Sequence, residues 1–423
     1  MIRFLKNFLR KDFPRFGALD ILKYIGPGLL VTVGFIDPGN WASNVVAGAR
    51  FGYGILWIIT LSTIMLILLQ HNAAHLGIAT GLCVSEAATM HFRPWASRLL
   101  LSSAVLASIS TALAEILGSA IGLRMLFGLP LPAGAVLTAA VGGYLLLSNN
   151  YRRIEKYIIG FVSLIGISFI FEMYLVDVHW SEAAYGWVAP AIPEGSLPVI
   201  MSVLGAVVMP HNIYLHSEII QSRQWNREST DTIARQMKYE IMDTMFAMTV
   251  GWAINSAMII VAAALFHAGS VRVSDLAQAG ATLEPLLGKA AHDVFAIALV
   301  SAGLASLITA GMAGGSIFSG FFSEPFDVTD RHTRTGIIIT ILGGLVIVFF
   351  IGNPIAALIM SQIVLSVQLP WTVFGLITLT SSRKVMGDYR NRLPARIVFI
   401  AIAAIISVLN LLLFLDAIGL YRI

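Results

Sequence analysis

The chain has 423 residues, 57% of them hydrophobic and only 12% charged, a balance that excludes a soluble globular protein. Its formal net charge of +4 is spread along the chain by membrane side, so it gives no reason to expect a nucleic-acid partner. A single cysteine, Cys83, excludes an intramolecular disulfide and a thiolate metal cluster within one chain.

Residues 1–23 are charged, interrupted by Pro14 and Gly17, and lack the apolar stretch and cleavage site of a signal peptide, so they read as a cytoplasmic segment. Apolar runs long enough to span a bilayer, about 20 residues each, follow at about 24–48, 54–78, 97–127, 131–148, 153–176, 198–222, 239–267, 290–323, 336–352, 355–380 and 396–416. That pattern predicts an all-α polytopic membrane protein with eleven spans. With the N-terminus in the cytoplasm and the C-terminus outside, 22 of the 27 lysines and arginines fall inside. The longest connections, about 177–197, 223–238 and 268–289, leave no room for a soluble domain, and Trp180, Tyr185 and Trp187 in the first of them form an interfacial aromatic belt.

Spans one and six each carry a proline-centred polar motif inside an apolar run: Asp37-Pro38-Gly39-Asn40 and Met209-Pro210-His211-Asn212. A proline within a helix has no N–H for the carbonyl four residues earlier, so Pro38 is expected to free the C=O of Gly34 and Pro210 that of Ala206. Pro38 and Pro210 are separated by five spans, which is the layout of two five-helix repeats, the second inverted relative to the first. The ten-helix core then covers 24–380, in repeats of about 24–176 and 198–380. Residues 381–423 supply a cytoplasmic loop and an eleventh helix.

The polar residues of these spans have two readings each. Asp37 is either a structural acid capping the helix that restarts after Gly39 or, with Asn40 one turn on, an oxygen ligand for a divalent cation. Met209 is either packing or a soft thioether ligand, one that favours manganese-like or iron-like ions over Mg²⁺ and Ca²⁺. His211, beside the second break, is the likelier functional histidine of span six and can take up a proton when a cation leaves; His216 does not share its face cleanly. Glu115, in a span of Ala, Leu, Ile, Ser and Gly, is a proton carrier or an acid bonded to a neighbouring helix. Gln362 and Asn255 are neutral groups that can bridge helices. Glu172 and Asp177 read as interfacial, and His71 and His75 lie toward the inner end of span two.

Taken with Gly26-Pro27-Gly28, Gly52-Tyr53-Gly54, Leu76-Gly77-Ile78-Ala79-Thr80-Gly81, Ala114-Glu115-Ile116-Leu117-Gly118 and Ser361-Gln362-Ile363-Val364-Leu365-Ser366, the two motifs resemble the Nramp family of divalent metal transporters. The resemblance implies a LeuT-type fold and proton-linked import of Mn²⁺ or Fe²⁺ by alternating access across a bacterial inner membrane. It implies Asp37, Asn40, the Ala206 carbonyl and Met209 as metal ligands, with Gln362 joining on occlusion, and a proton route through Asp37, His211 and Glu115. It implies no enzymatic activity and no bound cofactor; the partners are the metal ion, protons and lipid, and the oligomeric state is left open, a monomer being compatible. Five positions depart from the family pattern: Ala112 where an acid is usual, Leu304 for glutamine, Ser319 for glutamate, and His71 and Asn72 for small residues. Rival readings are a metal uniporter, a Mg²⁺ carrier, which Met209 argues against, and a symporter for a small organic solute, which Asp37 argues against. An intramembrane metalloenzyme lacks a three-ligand set.

Overall fold

The computed structural model describes residues 37–148, 176–222, 230–269 and 289–418, with residues 160, 273, 276 and 420. These residues are helical, with no strand among them. In chain order the helices are α1 (Pro38–Phe51), α2 (Leu56–Thr80), α3 (Val84–His91), α4 (Pro94–Phe127), α5 (Leu131–Ser148), α6 (Trp180–Val188), α7 (Leu197–Val207), α8 (Pro210–Gln221), α9 (Thr230–Ala262), α10 (Lys289–Gly320), α11 (Arg331–Val348), α12 (Pro354–Ser381), α13 (Arg383–Met386) and α14 (Leu393–Ala417). Among the described residues nine segments are long and apolar enough to cross a membrane, and they coincide with expected spans two to four and six to eleven. Of span one, only Asp37 and the helix α1 that follows are described. The readings made for residues 1–36, among them Gly34 and Gly26-Pro27-Gly28, and for most of span five, including Glu172, fall outside the described residues.

Helix starts follow local chemistry. Span three begins at Pro94 rather than near 97, because a proline in the first turn loses no hydrogen bond and already has helical φ. Pro38 and Pro210 likewise stand at the first position of α1 and α8, not inside a helix. This corrects the expectation that helix one restarts after Gly39: Asp37 caps a helix that begins at Pro38 itself. Span six is two helices, α7 and α8, separated by Val208 and Met209.

Packing sorts the spans into two groups. Helices α1, α2, α7, α8 and α9, from spans one, two, six and seven, pack on one another, and α4, α5, α10 and α11, from spans three, four, eight and nine, pack on one another. Each group therefore takes a pair of spans and the pair five places later, as two repeats of five require. Span ten, α12, touches α1, α2, α4 and α7 and so lies against both groups. Span six sits at the centre, with 94% of its most apolar stretch buried, whereas 28% of that of the last span is buried, leaving α14 at the periphery. Asn72 ties span two to the far end of the chain: it donates to Thr380 Oγ1 (3.1 Å) and accepts from Asn391 (2.8 Å).

Candidate functional site

The first break is held from its own sequence. Asp37 is extended (φ −111°, ψ 164°), and its Oδ1 accepts the N–H of Asn40 at 2.6 Å, so the carboxylate closes the open end of α1. That leaves Oδ2 buried with no donor among the described residues. The structural and the functional readings of Asp37 are thus compatible, one oxygen for each. Asn40 donates to Asn255 Oδ1 (2.7 Å), and its own Oδ1 accepts from Asn44 (3.1 Å). Asn255 therefore bridges helices, as expected for a neutral amide, and what it fixes is the rotamer of Asn40.

At the second break, α7 ends with Val208 donating to Leu204 O at 2.8 Å. The carbonyl of Ala206 would pair with the N–H of residue 210, which as a proline has none, so this oxygen loses its helical partner at the negative end of the α7 dipole. Met209 is fully buried, and its sulfur accepts from Asn212 Nδ2 at 3.4 Å. His211 faces span three, with Nδ1 3.4 Å from Thr111 Oγ1 and Nε2 lacking a partner among the described residues.

Spans three and ten complete the enclosure. The Glu115 and Asp37 carboxyls lie against each other, and neither Glu115 oxygen has an N–H or O–H donor among the described residues. Two carboxyls buried face to face can share one proton or one cation, but cannot comfortably both be bare anions. Their approach depends on Gly118, since a Cβ there would overlap the ring of Pro38. Gln362 fits where the breaks carry glycine: a Cβ on Gly39 would strike its amide and one on Gly205 its carbonyl. Its Nε2 donates to Ser361 Oγ (3.1 Å), and its Oε1 is buried without a donor among the described residues. Ser43 of α1 and Ser202 of α7 meet hydroxyl to hydroxyl, fixing one half-helix against the other.

All the residues expected at the site are brought together around the two breaks, and all are fully buried. Sequence reasoning missed two of the residues that orient them. Asn44 follows Asn40 by four positions and Thr111 precedes Glu115 by four, so helical spacing from a motif residue was the available signal.

The described residues hold a second group with metal-ligand chemistry, Cys83, Glu86 and Glu218, whose ligand atoms lie within 4.8 Å of one another. Here the acids are already satisfied. Glu86 Oε2 accepts from the N–H of Cys83 (2.9 Å) and from Gln221 (2.6 Å), and Glu218 accepts from Ser316 (2.8 Å) and the N–H of Phe326 (3.1 Å). They join the C-terminal end of α8 to α3 and to the connection after α10. The breaks, by contrast, collect acceptors that have no donor.

Residues 28–416 match the family model described as natural resistance-associated macrophage protein-like. The chain belongs to the Nramp family. It is an integral membrane transporter and not an enzyme. Among curated Nramp relatives, the chain is 39% identical over 407 residues to the divalent metal cation transporter MntH of Brucella suis biovar 1, covering 93% of this chain and 88% of the relative. It is 36% identical over 402 residues to MntH of Granulibacter bethesdensis, covering 94% and 89%. Among solved structures it resembles the manganese transporter of Eremococcus coleocola, with a TM-score of 0.81 at 29% identity over 95% of this chain and 88% of that one. It also resembles Mhp1, a nucleobase-cation-symport-1 family transporter in a closed conformation, with a TM-score of 0.61 at 17% identity over 87% and 82%. The second likeness is one of fold alone: this Nramp chain has the LeuT-type architecture that its two packing groups express.

Proposed function

We propose that this chain, a divalent metal cation transporter by its family, imports Mn²⁺ or Fe²⁺ by alternating access, holding the ion between its two helix breaks. The ligands in this reading are Asp37, Asn40, the Ala206 carbonyl and Met209, with Gln362 joining as the site occludes. The supporting observation is the set of buried acceptors without donors among the described residues, Asp37 Oδ2, Gln362 Oε1 and both Glu115 oxygens, together with the buried thioether of Met209 at the second break. Each unsatisfied neutral acceptor costs about 1–3 kcal/mol and a charged one more, so a cavity of this kind favours a cation. A sulfur among the donors selects a transition metal over a hard ion.

Movement follows from where the carboxyls sit. Asp37 belongs to the group of spans one, two, six and seven, and Glu115 to the group of spans three, four, eight and nine, so their contact crosses the boundary between the groups. A metal ion or a proton on Asp37 holds the groups together there, and a bare pair of anions pushes them apart. That is a physical basis for coupling metal to protons through Asp37, Glu115 and His211. The same reading places the protein in a bacterial inner membrane with its N-terminus in the cytoplasm and its C-terminus outside, on the charge asymmetry of the loops.

Met209→Ala in proteoliposomes tests the ligand set. The variant is expected to keep Mn²⁺ uptake at reduced affinity and to let millimolar Ca²⁺ or Mg²⁺ compete. Competition unchanged from the wild type would remove the sulfur from the site.

A further inference from the structure

Away from the breaks, spans two, six and seven bury a continuous set of ionisable side chains that the mechanism above does not use. Glu240 of α9 presents Oε2 to His71 Nδ1 at 2.5 Å, while its Oε1 accepts from Thr244 (2.7 Å) and lies 3.8 Å from His216 Nε2. His216 Nδ1 is 2.8 Å from Gln70 Oε1. Whichever tautomer the neutral ring adopts, a protonated His216 carries an N–H on both nitrogens and so presents the one on Nε2 toward Glu240. Exposure falls along the set in one direction. The His71 side chain is 28% exposed, Glu240 1% and His216 0%. His75 stacks on His71, with ring centroids 6.4 Å apart and planes 14° from parallel.

Asp243, buried one turn along α9 from Glu240, is a further titratable group on that helix. His216 stands five residues, about 7.5 Å of helix, farther from the break than His211. The residues come from α2, α8 and α9, all in one packing group. The set therefore moves as a body with the broken helices instead of straddling the boundary that Asp37 and Glu115 cross. His71 is also one of the positions at which this chain departs from the family pattern, as is Ala112, where the acid expected next to Glu115 is missing.

We propose that His71 and Glu240 form a proton path from the inner half of span six to the cytoplasmic face, in place of the step lost at Ala112. A proton on His216 passes to Glu240 and from Glu240 to His71, which gives it to water. Only N–H and O–H bonds are made and broken, and no redox partner is required. The proposal rests on the proton-coupled reading of transport.

The test records Mn²⁺ uptake and internal pH together in proteoliposomes holding the full chain, for the wild type, His71→Gln, Glu240→Gln and Glu240→Asp. Both glutamine variants can still hydrogen-bond but cannot relay a proton at that position. The wild type is expected to acidify the lumen as metal enters. In the two glutamine variants the acidification per Mn²⁺ should fall at least fivefold and the pH dependence of uptake should flatten, with Glu240→Asp restoring both. The ratio is the readout, so a variant slowed by poor folding still reports. A wild type that acidifies, with glutamine variants that acidify equally per ion, overturns the path alone. A wild type that takes up Mn²⁺ without acidification overturns both the path and proton coupling.

Discussion

Asp37→Asn is expected to lower Mn²⁺ uptake at subsaturating metal by about 10- to 100-fold while leaving a folded protein. Asparagine caps a helix as well as aspartate does, so the bond from Asn40 N–H that closes α1 survives the change. What is lost is the negative charge on the oxygen that has no donor. A charge-assisted contact is worth about 1.5–3 kcal/mol, and every 1.4 kcal/mol is roughly tenfold in affinity. Loss of the interaction with Glu115 across the group boundary adds to this. Radioactive Mn²⁺ uptake, with thermal unfolding followed in parallel, distinguishes a lost ligand from a lost fold. Uptake at the wild-type level would overturn the assignment of Asp37.

Gly118→Val is expected to abolish transport by a different route. A Cβ at 118 would occupy the space of the Pro38 ring, and a proline ring has no alternative rotamer into which to retreat. Span three must then withdraw from the first break, separating Glu115 from Asp37. Overpacking of this kind costs about 1–3 kcal/mol, and here the displacement falls on the site itself. The expected result is a protein that inserts in the membrane, melts at lower temperature and fails to take up Mn²⁺. Normal uptake by the valine variant would mean that the close approach of α4 to Pro38 is not needed for function.

The nine described spans were legible because membrane helices must satisfy their backbone internally, which leaves long apolar runs as an unambiguous signal. The two breaks were legible for the same reason, since Asp37 and Pro210 are costly where they stand. Less could be read from a proline about where the helix resumes. Pro38 and Pro210 start helices instead of interrupting them. The partners of each site residue lay beyond local spacing: Asn255 reaches Asn40 across 215 positions and Glu240 reaches His71 across 169. No periodicity joins such pairs. Ala112 illustrates the limit well. The sequence marks it as a missing acid, and the fold shows a packing reason for a small residue, because a Cβ added to Gly344 of α11 would already meet the backbone and Cβ of Ala112.

The central claim is that the ion sits between the breaks, and manganese anomalous scattering from crystals grown with Mn²⁺ tests it most directly. The expected result is one strong peak within bonding distance of Asp37 and Met209, lost in the Asp37→Asn protein. A peak confined to Cys83, Glu86 and Glu218, with none at the breaks, would contradict it.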